Sequence, residues 1–256
     1  MIYNPWFEKA RVNAVVVPMG CRMDDYPLLL RAVFSLANIR GALITMPHKV
    51  TTVGLLDDVL PGAAIAGACN AVRRLDDGRL QGDMFDGEGF VRGLRRKGLQ
   101  LEGARALVVG SGGVGSAIAA SLAAAGVAGL GLYDVHAGAA EGLRGRLLRH
   151  YPELAVQTGS NDPAGFDLVV NATPLGMNDG DPLPMDVGRL GAATWVGEVV
   201  MKTELTAFLR AAQERGCRVQ VGTDMLFEQI PAYLEFFGLP VTDAGELRAL
   251  SHLRYS

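Results

Sequence analysis

Three glycines and two charged side chains carry the chemistry open to this chain. Gly110, Gly112 and Gly115 stand as GxGxxG between the apolar runs RALVV and SAIAASLAAA. That is the setting in which a strand turns into a helix around a pyrophosphate. The first glycine permits the tight turn, the second lets backbone approach the phosphates, and the third lets helix pack on strand. The helix that opens at Gly113 and Val114 then turns its unpaired N–H groups toward the anion. The next strand, GLGLYDV (129–135), carries Asp134, 19 positions after Gly115. A carboxylate there accepts from both ribose hydroxyls and repels a 2′-phosphate. No arginine follows until Arg144, so the spacing predicts NAD rather than NADP, a surface turn aspartate being the competing reading.

The two charged side chains are Lys49, at the end of ITMPHK, and Asp86, in GDMFDGEGF. A nucleotide-binding lobe preceded by a smaller one implies a cleft between them, where cofactor enzymes place substrate. Oxidation of a secondary alcohol removes a hydride and a hydroxyl proton, so the first lobe has to supply a base. A lysine withdrawn from water in such a cleft has its pKa drawn down toward that use. One at a strand end can equally snorkel to solvent. Asp86, between a strand end and a helix start, reads as partner to Lys49 or as an N-cap, and its position alone favours the cap.

Positioning these groups requires alternating strands and helices. VNAVVVPM (12–19) reads as a strand, 24–37 as an amphipathic helix, 41–45 as a strand and 51–59 as a helix. A hairpin around DDG joins 67–75 to 79–83, and 87–98 reads as a linking helix. Beyond it come the strands 166–173, 193–200 and 217–222 and the helix 203–216. The pattern predicts an α/β fold of two domains, an N-terminal α/β substrate domain (1–97) and a doubly wound Rossmann-type domain (98–225). Asn171, Thr173 and Pro174 of NATPLGM, and Gly222 and Met225 of VGTDML, fall at or just beyond strand ends, where open sheets bind ligands.

Composition narrows the partners. With 256 residues, 49% hydrophobic, 20% charged and a net charge of −3, the chain reads as a cytoplasmic globular protein with no nucleic-acid or membrane partner. Cys21, Cys69 and Cys217 are scattered and read as reduced core thiols. The four histidines share no ligand spacing, so no metal is expected. His48 reads as a structural turn residue, and a homodimer stays open.

TMPHK, GACNAV, FDGEGF, GSGGVG, NATPLGM and GTDMLFEQIPAYLEFFG occur in the order found in the shikimate/quinate dehydrogenase family. The chain resembles that family over nearly its whole length. The resemblance implies that Lys49 is the catalytic acid/base with Asp86 as its partner, and that Asn70 and Asp86 hold substrate hydroxyls. It further implies that Thr45 and Gln229 contact substrate, and that residues from about 226 to 256 pack back on the first lobe. The implied substrate is a small cyclic hydroxy acid. Departures accompany these matches. The family's SxS segment, whose hydroxyls grip a carboxylate, has no counterpart here, so the expectation is either that about a dozen residues precede Met1 or that a carboxylate is anchored differently. NVT is replaced by Leu43, Ile44, Thr45, and NTD by Met84, Phe85, Asp86, which reduces polar contacts. Two function classes follow: an NAD-dependent dehydrogenase, and an NAD-binding protein of the same fold with little activity.

Overall fold

The computed structural model describes residues 2–250. Helices α1 (Tyr3–Lys9) and α2 (Tyr26–Phe34) precede β1 (Gly41–Leu43), α3 (Lys49–Val53), β2 (Asp58–Val59), α4 (Pro61–Ala66), β3 (Ala71–Arg74) and β4 (Leu80–Asp83). The four strands form a sheet in the order β1-β3-β4-β2. β3 and β4 are the antiparallel hairpin expected around DDG, with Arg74 opposite Leu80, and β2 runs parallel to β4. Side chains alternate across a strand, so the sheet has two different faces. Val72 and Leu80 pack under Tyr26, Leu30, Phe34 and Ala63. Ala71 and the partly buried Leu43 face the other way.

Beyond α5 (Asp86–Arg96) the chain builds β5 (Arg105–Val109), α6 (Gly113–Ala124), β6 (Gly129–Tyr133), α7 (Ala137–His150), β7 (Ala155–Thr158), β8 (Leu168–Asn171), β9 (Trp195–Glu198), α8 (Ala207–Glu214) and β10 (Arg218–Gln220). The six strands are parallel, in the order β10-β9-β8-β5-β6-β7. Val108 and Val170 pack with α6 and α7 on one face, while Leu107 and Val169 pack with Phe208 and Leu209 of α8 on the other. Burial on both faces explains why these strands read as unbroken apolar runs. Strand order reverses between β5 and β8, the switch point at which a doubly wound sheet opens a crevice.

The last helices, α9 (Gly222–Phe236) and α10 (Ala244–Leu250), return to the start of the chain. Phe227, Ile230 and Leu234 of α9 and Leu247 of α10 share a core with Trp6 and Phe7 of α1. The part of this return segment beyond Leu250 lies outside the described residues.

Two element assignments change. Residues 12–17 alternate as a strand should, with Val12, Ala14 and Val16 partly buried against the Trp6 cluster and Val15 and Val17 exposed, although the chain turns at Asn13, where Ala14 N–H donates to Val12 O at 2.8 Å. Yet they join neither sheet. The Val16 backbone instead exchanges two hydrogen bonds with the Asn4 side chain, its N–H donating to Oδ1 at 2.7 Å and its C=O accepting from Nδ2 at 3.0 Å. Alternation reports which way side chains face, and a ladder needs a neighbouring backbone as well. The expected helix 51–59 stops at Val53, capped at Gly54. Asp57 then exchanges bonds with Leu80, N–H to C=O at 2.9 Å and Oδ2 from N–H at 2.8 Å, and that pairing starts β2 instead. Cys69 and Cys217 are buried free thiols, and Cys21 is half-buried. Among the described residues, no helix is long and apolar enough to cross a membrane.

Candidate active site

Asp86 is where separate elements converge. Lys49 opens α3, Asn70 immediately precedes β3, Asp86 opens α5, and Gln229 lies in the middle of α9. Lys49 Nζ donates to Asp86 Oδ2 at 2.8 Å. Asn70 Nδ2 donates to Asp86 Oδ1 at 2.8 Å, and Gln229 Nε2 donates to the same oxygen. Asn70 cannot reverse its amide, because its Oδ1 accepts the Phe85 N–H at 2.9 Å. The Lys49 carbonyl accepts from Cys69 N–H at 2.9 Å, which ties the lysine turn to the residue before Asn70. The pair is withdrawn from water: side-chain exposure is 18% for Lys49 and 6% for Asp86. Removing one member of such a pair leaves an uncompensated buried charge.

Asp86 is therefore not the N-cap of α5. That place is taken by Phe85, which makes no side-chain capping bond. Asp86 stands in the first turn, where the partial positive charge of the helix start favours a carboxylate. The glycines after it have a steric reason. A Cβ on Gly87 would overlap the Ala117 carbonyl of α6, and one on Gly89 would come within 2.5 Å of Met225 O and 2.8 Å of Gln229 Cβ in α9. The DGEG sequence thus lets α5 lie between α6 and α9 at backbone distance.

Thr45 stands apart from this set. It is exposed beyond the end of β1, and its carbonyl accepts the His48 N–H at 3.0 Å. His48 braces the same turn, its ring stacked on Tyr26 at 4.1 Å and its Nε2 within 3.1 Å of Cys21 O, in keeping with a structural role. On the apolar side, Phe85 meets Tyr233 at 5.3 Å and Phe236 at 5.2 Å. Burial pushes the Cys69 thiol up to about 12. Burial and the nearby Asp86 charge push the Tyr233 hydroxyl well above its ordinary value. Both groups stay neutral beside the charged pair.

The glycine turn lies on the same side of the molecule. The position a Gly113 Cβ would take is 3.9 Å from Ala68 Cβ, two residues before Asn70. Gly110 has φ +104°, open to glycine and strained for other residues, and a Cβ on Gly115 would overlap the Gly110 carbonyl oxygen. Gly112 is the N-cap of α6 and makes no side-chain cap bond, so the N–H groups at Gly113 and Val114 are left for an anion. Asp134 closes the turn: Oδ2 accepts Ser111 N–H at 2.8 Å and Oδ1 accepts His136 N–H at 2.9 Å. Asn171 is fully buried. Its Oδ1 accepts from Thr173 N and Oγ1, and its Nδ2 donates to Leu175 O at 2.9 Å. This shapes the loop that leaves Pro174 exposed. Gly222 passes against the Val200 carbonyl, and Met225 is buried next to Gly89.

A family model described as the shikimate dehydrogenase substrate binding domain matches residues 1–72. A shikimate dehydrogenase (NADP(+)) of Rubrobacter xylanophilus is 36% identical over 255 residues, covering 98% of this chain and 89% of that protein. The chain belongs to the shikimate dehydrogenase family. Among solved structures, the shikimate 5-dehydrogenase of Listeria monocytogenes in complex with shikimate and NAD has the same fold, with a TM-score of 0.90 at 24% identity over 97% of this chain and 90% of that one. A quinate dehydrogenase from Corynebacterium glutamicum in complex with NAD is 33% identical, with a TM-score of 0.79 over 90% of this chain and 84% of that one. Like those relatives, this family member is an α/β protein with a small mixed sheet and a six-stranded parallel sheet.

Two residues of this family member escaped the sequence reading. Tyr233 stands one helical turn after Gln229, a spacing that puts both on one face of α9. Glu198 ends the apolar run of β9 and is fully buried. It accepts from Thr206 Oγ1 at 2.9 Å, and burial pushes its carboxyl up to about 7 against the opposing bonds from Thr206 and Asn171. A charged residue at the end of an apolar strand was the available signal.

Proposed function

We propose that this protein interconverts a shikimate- or quinate-like cyclic hydroxy acid and its ketone, using NAD. The carrying observation is the shielded Lys49–Asp86 pair, with the Asn70 and Gln229 amides on the same carboxylate. Its relatives are named for shikimate and quinate oxidation. The dinucleotide, when bound, supplies the hydride acceptor for oxidation and the donor for reduction. For oxidation Lys49 first gives up a proton, so that Nζ as the free amine takes the hydroxyl proton and returns it during reduction, while Asp86 balances the ammonium that results. Asn70 and Asp86 hold adjacent substrate hydroxyls, with Gln229 and Thr45 at the edge of the pocket. The convergence of Lys49, Asn70 and Gln229 on Asp86 favours an enzyme over a binding protein with little activity.

In this reading, residues 1–97 and the chain from 226 onward bind substrate, and 98–225 bind the cofactor; the shared core of α1, α9 and α10 supports that division. Gly112 faces open space that a side chain would fill, which suits a pyrophosphate, while Gly110 and Gly115 let the main chain of the turn close on itself. NAD over NADP rests on Asp134, held by two backbone N–H groups at the end of β6, where it would repel a 2′-phosphate. The next arginines along the chain make bonds elsewhere: Arg144 Nε donates to Val156 O at 3.3 Å and Arg146 Nε to Ile65 O at 2.6 Å. Initial rates with shikimate and quinate test both parts. The expected kcat/KM for NAD exceeds that for NADP by at least about tenfold, and the preference collapses in Asp134→Ala. Faster turnover with NADP by the wild type would refute the cofactor assignment, and no turnover of either acid would refute the substrate class.

A further inference from the structure

Arg146 of α7 directs its charge at neutral oxygens. It is half-buried, and its Nε donates to Ile65 O at 2.6 Å while its Nη2 lies 3.5 Å from Ser116 Oγ. Withdrawing a cation from water toward neutral partners costs free energy, so its place in the fold has to give something in return. Ile65 stands in the last turn of α4, where carbonyls without helical partners favour a cation, and α4 packs on the four-stranded sheet through Ala63 and Ala66. Ser116 stands in the first turn of α6, which packs on the six-stranded sheet through Ile118 and Leu122. One side chain therefore touches both halves of the molecule.

Each contact leads to a working part. From Ile65 the chain runs through Gly67, in the left-handed region at φ +65°, and Ala68, which faces Gly113. It then reaches Cys69, whose N–H holds the Lys49 carbonyl, and Asn70, whose amide holds Asp86. On the other side, Ser116 Oγ donates to Ser111 O at 3.1 Å, inside the glycine turn, and Ser111 N–H donates to Asp134. We propose that Arg146 is a positioning residue: by tying the end of α4 to the start of α6, it fixes the distance between the Lys49–Asp86 pair and the glycine turn. The role rests on the dehydrogenase reading above. The short, charge-assisted bond to Ile65 is the stronger half of the tie, and the long Ser116 contact is the weaker. Reacting atoms have to approach to about 3–3.5 Å, and a misplacement of about 1 Å can cost roughly 10² in rate. Arg146 acts through Ile65 and Ser116, not on the substrate.

The test is Arg146→Met, which keeps an unbranched stem of similar reach and removes the donors. With shikimate or quinate and NAD, kcat should fall about tenfold or more, while KM and NADH affinity stay within about threefold of wild type. The primary deuterium isotope effect on kcat, read with substrate labelled at the reacting carbon, should rise as hydride transfer becomes the slower step. A residue that only supported the fold would lower the urea midpoint and leave kcat and the isotope effect of the folded enzyme alone, and that outcome overturns the proposal. Hydrogen exchange of the ligand-free proteins gives a readout that needs no turnover. Arg146→Met should lower amide protection about tenfold in both 64–70 and 111–116, in line with the loss of one charge-assisted hydrogen bond. A loss confined to α7 overturns the proposal. If the wild type oxidises neither acid, the dehydrogenase reading fails by itself, and the exchange pattern still decides whether Arg146 ties α4 to α6.

Discussion

The Asp86 site and the Gly110–Gly115 turn lie next to each other and are built by opposite means. At Asp86, side chains from α3, the start of β3, α5 and α9 converge, and the site depends on the groups that are present. At the glycine turn the working parts are backbone N–H groups, and the site depends on side chains that are missing. The first should fail when atoms are removed. The second should fail when a single methyl is added.

Lys49→Ala is the largest expected break. It removes the proposed base and leaves Asp86 buried without its cation, so kcat should fall by roughly 10² to 10⁴, with NADH affinity nearly unchanged; an unaltered kcat would take lysine out of the proton transfer. Next comes Gly115→Ala, which forces a Cβ onto the Gly110 carbonyl. Its expected cost is about 1–3 kcal/mol of overpacking, read in urea, together with weaker NADH binding. Retention of both would show that the turn has slack. Gly89→Ala should sit between the two regions, since its Cβ presses on Met225 and Gln229. Its effect should appear in substrate KM before NADH affinity, and the reverse order would break the contrast. The effect confined to the pH profile belongs to Glu198. Burial raises its folded carboxyl from the ordinary 4.5 to about 7, so its contribution to stability is complete below about 4.5 and is lost as pH rises through about 7. The total is at most about 3 kcal/mol. Glu198→Gln should flatten the stability profile across that window, and an unchanged profile would assign the slope to other groups.

The same contrast governs how much could be read from the sequence. The glycine turn is local: the six residues Gly110 to Gly115 state its geometry, and they stand at the junction of β5 and α6, with Asp134 just past the end of β6. The Asp86 site is assembled from positions far apart in the chain. Composition and spacing left Asp86 as a helix cap and Lys49 as a surface lysine of equal standing, and only the order of six motifs tied them to Asn70 and Gln229. Residues 12–19 show the limit of periodicity, since Val12, Ala14 and Val16 face inward in alternation although no strand forms and the Val16 backbone has the Asn4 side chain for a partner. Tyr233 lay outside both signals, because what makes it relevant is contact across helices rather than pattern along one.

Helix α5 is gripped from two sides through Gly87 and Gly89, where main chain meets main chain. Bulk cannot be added at either place, so the carboxylate at its tip is a fixed point around which the pocket is drawn. Variation close to this anchor is therefore left to the apolar cluster beside it, which holds Leu43, Phe85 and Tyr233, while the anchor keeps its address.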